Sequence, residues 1–257
     1  MKRLCIAVAL VILGSFSSAF AQTQPAPRPA RQPPAPSRAF VSVNGAYQAT
    51  SNDFRDSSSF RANAEDGQLG TAYDIQAGPA FDIAVGATVW RQLGVGVGVS
   101  RFSRTTESTI TASVPHPFFF NRARSVSGTA GGLSRNETAV HVQARGTFPV
   151  HQRLVVMVFG GPSFFSVSQD MVTDFTYAET YPYDTATFSG PVTTNAKKSK
   201  VGFNAGADVA YFFGRQIGAG VTVKVAGTTV DLPSIGGGTA EVKAGGTQVG
   251  GALRLRF

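Results

Sequence analysis

The last nine residues alternate: Val249, Gly251, Leu253, Leu255 and Phe257 fall on one face, and Gly250, Ala252, Arg254 and Arg256 on the other. A period of two is a strand. A strand that is apolar on one side and arginine-bearing on the other suits a wall between lipid and a polar interior. After residue 21 no stretch approaches the roughly 18 consecutive apolar residues a spanning helix needs. Such a chain can cross a membrane only as a closed barrel, where every backbone group finds a partner between strands.

The same alternation recurs upstream. Ile75, Phe81, Ile83, Val85, Ala87 and Val89 oppose Asp74, Gln76, Asp82, Gly86 and Thr88. Leu93, Val95, Val97 and Val99 oppose Gly94, Gly96, Gly98 and Ser100, and Val140, Val142, Ala144 and Phe148 oppose His141, Gln143, Arg145 and Thr147. Val201, Phe203, Ala205, Val209, Tyr211 and Phe213 oppose Gly202, Asn204, Gly206 and Asp208, while Ile217, Val221, Val223 and Val225 oppose Gly218, Gly220, Thr222 and Lys224. Each apolar set is expected to meet lipid. Residues 154–165 are apolar on both faces around Gly160, Gly161 and Pro162, which leaves their register open and suggests a bulge.

Three short polar turns punctuate these runs, at Arg91-Gln92, His151-Gln152 and Arg215-Gln216. Each follows a strand end and precedes a new alternation, the pattern of a tight hairpin. Between them lie long polar segments, near residues 51–69, 106–135, 170–198 and 231–241. Short turns alternating with long loops predict eight antiparallel strands from residue 38 to 257, with the turns periplasmic and the loops outside.

The start of the chain sets the compartment. Lys2 and Arg3 precede an apolar run from Leu4 to Leu13, and Ala19-Phe20-Ala21 forms a small-x-small site. Residues 1–21 therefore read as a secretory signal peptide. Cys5, the one cysteine, lies within it, so disulfides are excluded from the mature chain. Residues 22–37 contain six prolines and form a semi-rigid periplasmic lead, either a spacer or a partner-binding segment. The formal charge of +8 falls by two with the signal. Export turns this basic balance away from nucleic acid and toward lipopolysaccharide phosphate.

Across residues 38–257 the chain resembles the eight-stranded outer-membrane barrels of the opacity-like and outer-membrane protein A type families. The resemblance rests on the alternating strands, the loop asymmetry and the terminal Phe257. It implies an outer-membrane location, surrounding lipid and lipopolysaccharide as partners, and insertion by the barrel-assembly machinery through a signal at Leu253, Leu255 and Phe257.

An eight-stranded barrel is just wide enough for side chains to fill. The inward charges expected to form its network are Asp74, Asp82, His141, Arg145, Asp208, Lys224, Arg254 and Arg256. They make either a salt-bridged plug or, since cations outnumber acids, a narrow and weakly anion-preferring channel. Arg101, Arg104, Arg122, Arg124, Lys197, Lys198 and Lys200 are expected near the outer rim, against lipopolysaccharide. Phe118, Phe119 and Phe120, with Tyr177, Tyr181 and Tyr183, are expected as a loop surface for an extracellular ligand. His116, His141 and His151 show no catalytic constellation with Ser and a carboxylate. No enzyme, cofactor or metal site is expected, and the role read from the sequence is structural or surface interaction.

Overall fold

The computed structural model describes residues 39–233 and 238–257. The signal peptide and the Pro-rich lead lie outside the described residues, as does a short stretch at 234–237. Ten strands follow in chain order: β1 (Ala39–Gln48), β2 (Phe54–Ala62), β3 (Glu65–Asp74), β4 (Gly78–Trp90), β5 (Leu93–Pro115), β6 (Ala123–Pro149), β7 (Leu154–Glu179), β8 (Ala186–Phe212), β9 (Ile217–Pro233) and β10 (Thr239–Arg256). Eight of them close a ring, in the order β1-β4-β5-β6-β7-β8-β9-β10 and back to β1, with every neighbour antiparallel. At the base, Phe257 and Ala39 exchange backbone hydrogen bonds at 2.9 and 3.2 Å, which closes the seam.

The three polar turns join β4 to β5, β6 to β7 and β8 to β9. Above each turn the alternation governs exposure. Phe81, Ile83, Val85, Val95, Val97, Val99, Val142, Val201, Phe203, Val221, Val223 and Leu253 are all exposed, and the residues between them are mostly buried. Trp90, Phe148, Tyr211, Phe213 and Phe257 gather exposed rings near the turn end, where such rings anchor at an interface. A soluble barrel hides its apolar set. This one displays it around a closed ring, which is stable only in hydrocarbon.

The remaining two strands, β2 and β3, correct the expectation of a loop at 51–69. They form a hairpin around Asn63 and Ala64, both in the left-handed region, and β3 pairs with upper β5 from Gln68↔Ser113 to Asp74↔Glu107. The loops expected at 106–135 and 170–198 are likewise strand. β5 and β6 pair up to Pro115↔Ala123, and β7 and β8 up to Glu179↔Ala186. The physical reason is a second alternation of reversed sense. In β5, Ser103, Thr105, Glu107, Thr109 and Thr111 face outward, while Phe102, Thr106, Ser108, Ile110, Ala112 and Val114 are buried. The buried sets of β2, β3, β5, β6, β7, β9 and β10 meet in one apolar core that includes Leu69, Tyr73, Ile110, Val126, Val167, Met171, Phe175, Val230, Leu232 and Val242. Strands that begin in the ring thus continue into a folded head.

Two smaller corrections concern register. The chain leaves strand geometry over residues 75–77, so Asp74 ends exposed on β3 and Ile75 is buried in the head core instead of facing lipid. No register shift falls at Gly160–Pro162; those of β7 lie higher, between Val172 and Asp174 and between Thr176 and Tyr177. With β6 the ladder skips from His141↔Ser163 to Ala144↔Gly160 and resumes in the same register down to Pro149↔Val155, and with β8 it is continuous through Pro162↔Phe203.

Candidate functional site

Inside the ring, alternate residues of all eight strands meet as a polar network. Asp82 of β4 accepts from Lys224 Nζ of β9 at 2.8 Å and from Asn44 Nδ2 of β1. Asp208 of β8 holds the Arg254 guanidinium of β10 and the Thr222 hydroxyl of β9. His141 of β6 sits between the hydroxyls of Ser100 and Ser163, each at 2.7 Å. Gln143 donates to Asn204 at 2.9 Å, and Asn204 donates to Ser163 at 2.8 Å. All these side chains are buried. The network leaves a cavity of ≈ 20 Å³, lined by Asn44, Asp82, Gln143, Lys224 and Arg254 among others. That is room for about one water.

Two arginines depart from the expected pairing. Arg145 has no carboxylate partner among the described residues. Its guanidinium lies 3.9 Å over the Phe40 ring and donates to Met157 Sδ at 3.7 Å. Glycines make the space: a Cβ at Gly86 or Gly96 would strike the Phe40 ring at 2.5 or 3.2 Å. Arg256 is half-buried at the base, 3.8 Å over Phe212, and donates to the Arg215 carbonyl at 2.7 Å. Stacked cations therefore close the turn end of the lumen. Asp74 belongs to no such network, because the break at 75–77 puts it outside.

A second tier, which sequence reasoning missed, lies where the polar lumen meets the apolar head. Arg135 and Glu137 are both inward on β6 and form a buried pair at 2.7 Å. Arg135 also donates to the Lys243 carbonyl at 2.6 Å, and Glu137 accepts from the Gly245 amide at 2.7 Å. The Gly245 carbonyl takes amide donors from Gln48 and Asn52 at 3.1 and 2.8 Å. Gly245 is left-handed, and a Cβ there would meet the Ala226 carbonyl at 2.3 Å. The signal was present in the sequence, since Arg135 and Glu137 share the parity of His141 and Arg145.

The expected rim cations separate by face. Arg101 and Lys197 are exposed and share the outward parity of Val99 and Val201. Lys198 and Lys200 are exposed on the other parity, and Lys200 pairs with Asp231 at 3.0 Å. Three cations lie elsewhere. Arg104 has inward parity and is half-buried against Gly78. Arg122 and Arg124 stand at the far tip of the head, because the strands carry residues 106–135 far above the apolar band.

At that tip three hairpin ends are tied together. Arg124 is buried and bridges Glu179, the Tyr183 carbonyl and the Pro115 carbonyl, while Arg122 pairs with Asp184 at 3.0 Å. Asn63 of the β2–β3 turn donates to the Pro115 carbonyl at 3.0 Å, and the Asn121 amide donates to Glu65 at 2.7 Å. His116 is buried, and its Nδ1 accepts from the Phe118 and Phe119 amides at 3.1 and 3.2 Å. Its ring proton therefore sits on Nε2, 3.8 Å from Asp184. Phe118, Phe119, Phe120 and Tyr181 are 68, 55, 72 and 83% exposed. Phe118 and Tyr183 meet edge-to-face at 5.5 Å, as do Tyr181 and Tyr183 at 6.1 Å. Tyr177 turns inward and packs at 5.7 Å on Phe175 of the core. Deeper in the head, Tyr73 accepts from the Val172 amide at 2.7 Å, and burial pushes its phenol above the usual range.

No family model and no curated protein matches the chain. Solved structures similar to it include Neisserial surface protein A, at 10% identity over 85% of this chain and 97% of that one, TM-score 0.42. Outer membrane protein OprG from Pseudomonas aeruginosa is similar at 7% identity over 86% and 97%, TM-score 0.45. Ail, the attachment invasion locus protein of Yersinia pestis, is similar at 10% identity over 86% and 99%, TM-score 0.37. The chain's own strand ladder, closed on itself with its apolar residues outward, makes it an eight-stranded antiparallel transmembrane β-barrel carrying a β-structured head.

Proposed function

We propose that the protein is a bacterial outer-membrane scaffold whose sealed barrel holds up a rigid head for interaction at the cell surface. The observation that carries this reading is the contrast between a lumen crossed by buried ion pairs around a cavity of ≈ 20 Å³ and strands that run on into a packed head. A channel needs a continuous water path, and here two buried ion pairs, a His-Ser chain and stacked arginines occupy it. The head has the opposite construction, with an apolar core and an exposed aromatic tip. Exposure of Arg101 and Lys197 on the outward face supports a role for them in meeting lipopolysaccharide phosphate; alanine at both is expected to lower lipopolysaccharide co-purification.

The decisive experiment is conductance of the refolded protein, residues 22–257, in a planar bilayer beside Asp208→Ala. A silent parent with a variant that opens is the expected result. Steady, weakly anion-selective openings in the parent would overturn the sealed scaffold in favour of a small pore.

A further inference from the structure

We propose that the tip formed by Phe118, Phe119, Phe120 and Tyr181 is a knob that inserts into the interface of a second lipid bilayer, facing the one the barrel spans. The proposal deepens the scaffold reading by naming what its tip takes hold of.

Four observations converge on it. The rings are held out by the fold. The Phe118 and Phe119 amides are spent on His116 Nδ1, the Asn121 amide on Glu65, and the His116 amide on the Arg122 carbonyl at 3.1 Å, so the loop cannot fold its phenylalanines inward. The rings are contiguous, with Phe118 joined through Tyr183 to Tyr181. An aromatic surface of this kind suits the boundary between headgroups and acyl chains, where rings are the preferred anchors.

The two arginines that flank the knob are each paired with a carboxylate. Arg122 is bound to Asp184 and Arg124 to Glu179. Arg122 and Arg124 are thus already engaged by carboxylates, which leaves the rings themselves as the feature this loop offers a partner. A neutral, zwitterionic lipid surface asks for neither arginine.

The protein's own membrane is out of reach. From Arg101, the first polar outward residue of β5, to Pro115 the strand rises fourteen residues, about 35 Å at about 3.3 Å per residue and a tilt near 40°. The rings therefore stand well clear of the leaflet that surrounds the ring, and the bilayer they can enter is another one.

The test uses the protein reconstituted in nanodiscs and offered phosphatidylcholine vesicles. A Trp90→Phe, Phe120→Trp variant places the sole tryptophan at the tip. Its emission is expected to shift to the blue and to be quenched when the added vesicles carry brominated acyl chains. Phe118→Ser, Phe119→Ser and Phe120→Ser together are expected to reduce co-flotation with the vesicles at least ten-fold. Absence of both shift and quenching overturns the proposal even if the triple variant misfolds, because the tryptophan reporter keeps the loop apolar. Flotation that needs anionic lipid and vanishes in salt, or that needs a glycan on the vesicle, also overturns it. A silent planar bilayer with no flotation removes the knob alone, whereas an open lumen with intact flotation removes the sealed scaffold alone.

Discussion

The ring and the head are built from the same strands with opposite chemistry. Along β5, Leu93, Val95, Val97 and Val99 point outward, and two residues later the same face continues as Arg101, Ser103 and Thr105. The inward face changes from Gly94, Gly96 and Gly98 to Phe102, Ile110 and Val114. Along β5 the side-chain parity never slips; only the surroundings change. In hydrocarbon the backbone and the polar side chains must be satisfied within, so the interior is hydrogen-bonded. In water the driving force is burial of apolar area, so the interior is aliphatic and aromatic. One sheet serves both surroundings by exchanging the contents of its two faces at the level of the headgroups.

The most severe way to break the comparison is to strand a charge in the polar half. Asp208→Ala leaves Arg254 buried without its carboxylate, at an expected cost of about 3–5 kcal/mol, read as a lower urea midpoint for the folded, heat-modifiable band. In the apolar half the equivalent injury is a cavity. Met171→Ala is expected to cost about 2–5 kcal/mol and to expose residues 170–198 to protease while the ring still migrates as a folded species; a ring that melts in step with the head would show the two to be one cooperative unit. A paired substitution on one face of one strand sharpens the contrast further. Val97→Arg faces lipid and should destabilise by about 2–4 kcal/mol, whereas Thr109→Arg, twelve residues on with the same parity, should stay within about 0.5 kcal/mol. Equal effects would mean that the lipid boundary is not at Arg101. The smallest effect is expected at the exposed Lys200–Asp231 pair, where Lys200→Ala should change stability by no more than about 1 kcal/mol, and less in high salt.

How much of this was legible depends on which physical signal each part left in the sequence. The eight ring strands were readable because Leu93 to Val99 and Val201 to Phe213 alternate over long stretches between compact turns. The head was not, although Thr109, Ile110, Thr111, Ala112, Ser113 and Val114 alternate just as strictly. Their apolar members are the inward ones, and a reading tuned to lipid-facing residues sees only a polar loop. Asp74 went astray because parity was carried across residues 75–77, where the chain leaves strand geometry. Inward placement of Asp82, His141, Arg145, Asp208, Lys224 and Arg254 followed from parity alone. Their partners did not, because closure brings β4 against β9 and β8 against β10 across the lumen, and the stagger that decides who meets whom is a property of the whole ring. Arg145 illustrates the gap: an acid was the natural partner to expect, and Phe40, from a strand at the far end of the chain, occupies the place.

The unbroken passage of β5, β6, β7 and β8 from the base to the tip has a mechanical consequence. A pull on the tip runs along the strands, so it loads the interstrand hydrogen bonds in shear, many at once, instead of peeling them one after another. The cross-ties among Asn63, Glu65, Arg122, Arg124, Glu179 and Asp184 share that pull among three hairpins before it enters the wall. The molecule is thereby a tension-bearing post, and the weakest link under force is the grip of its tip on whatever it holds.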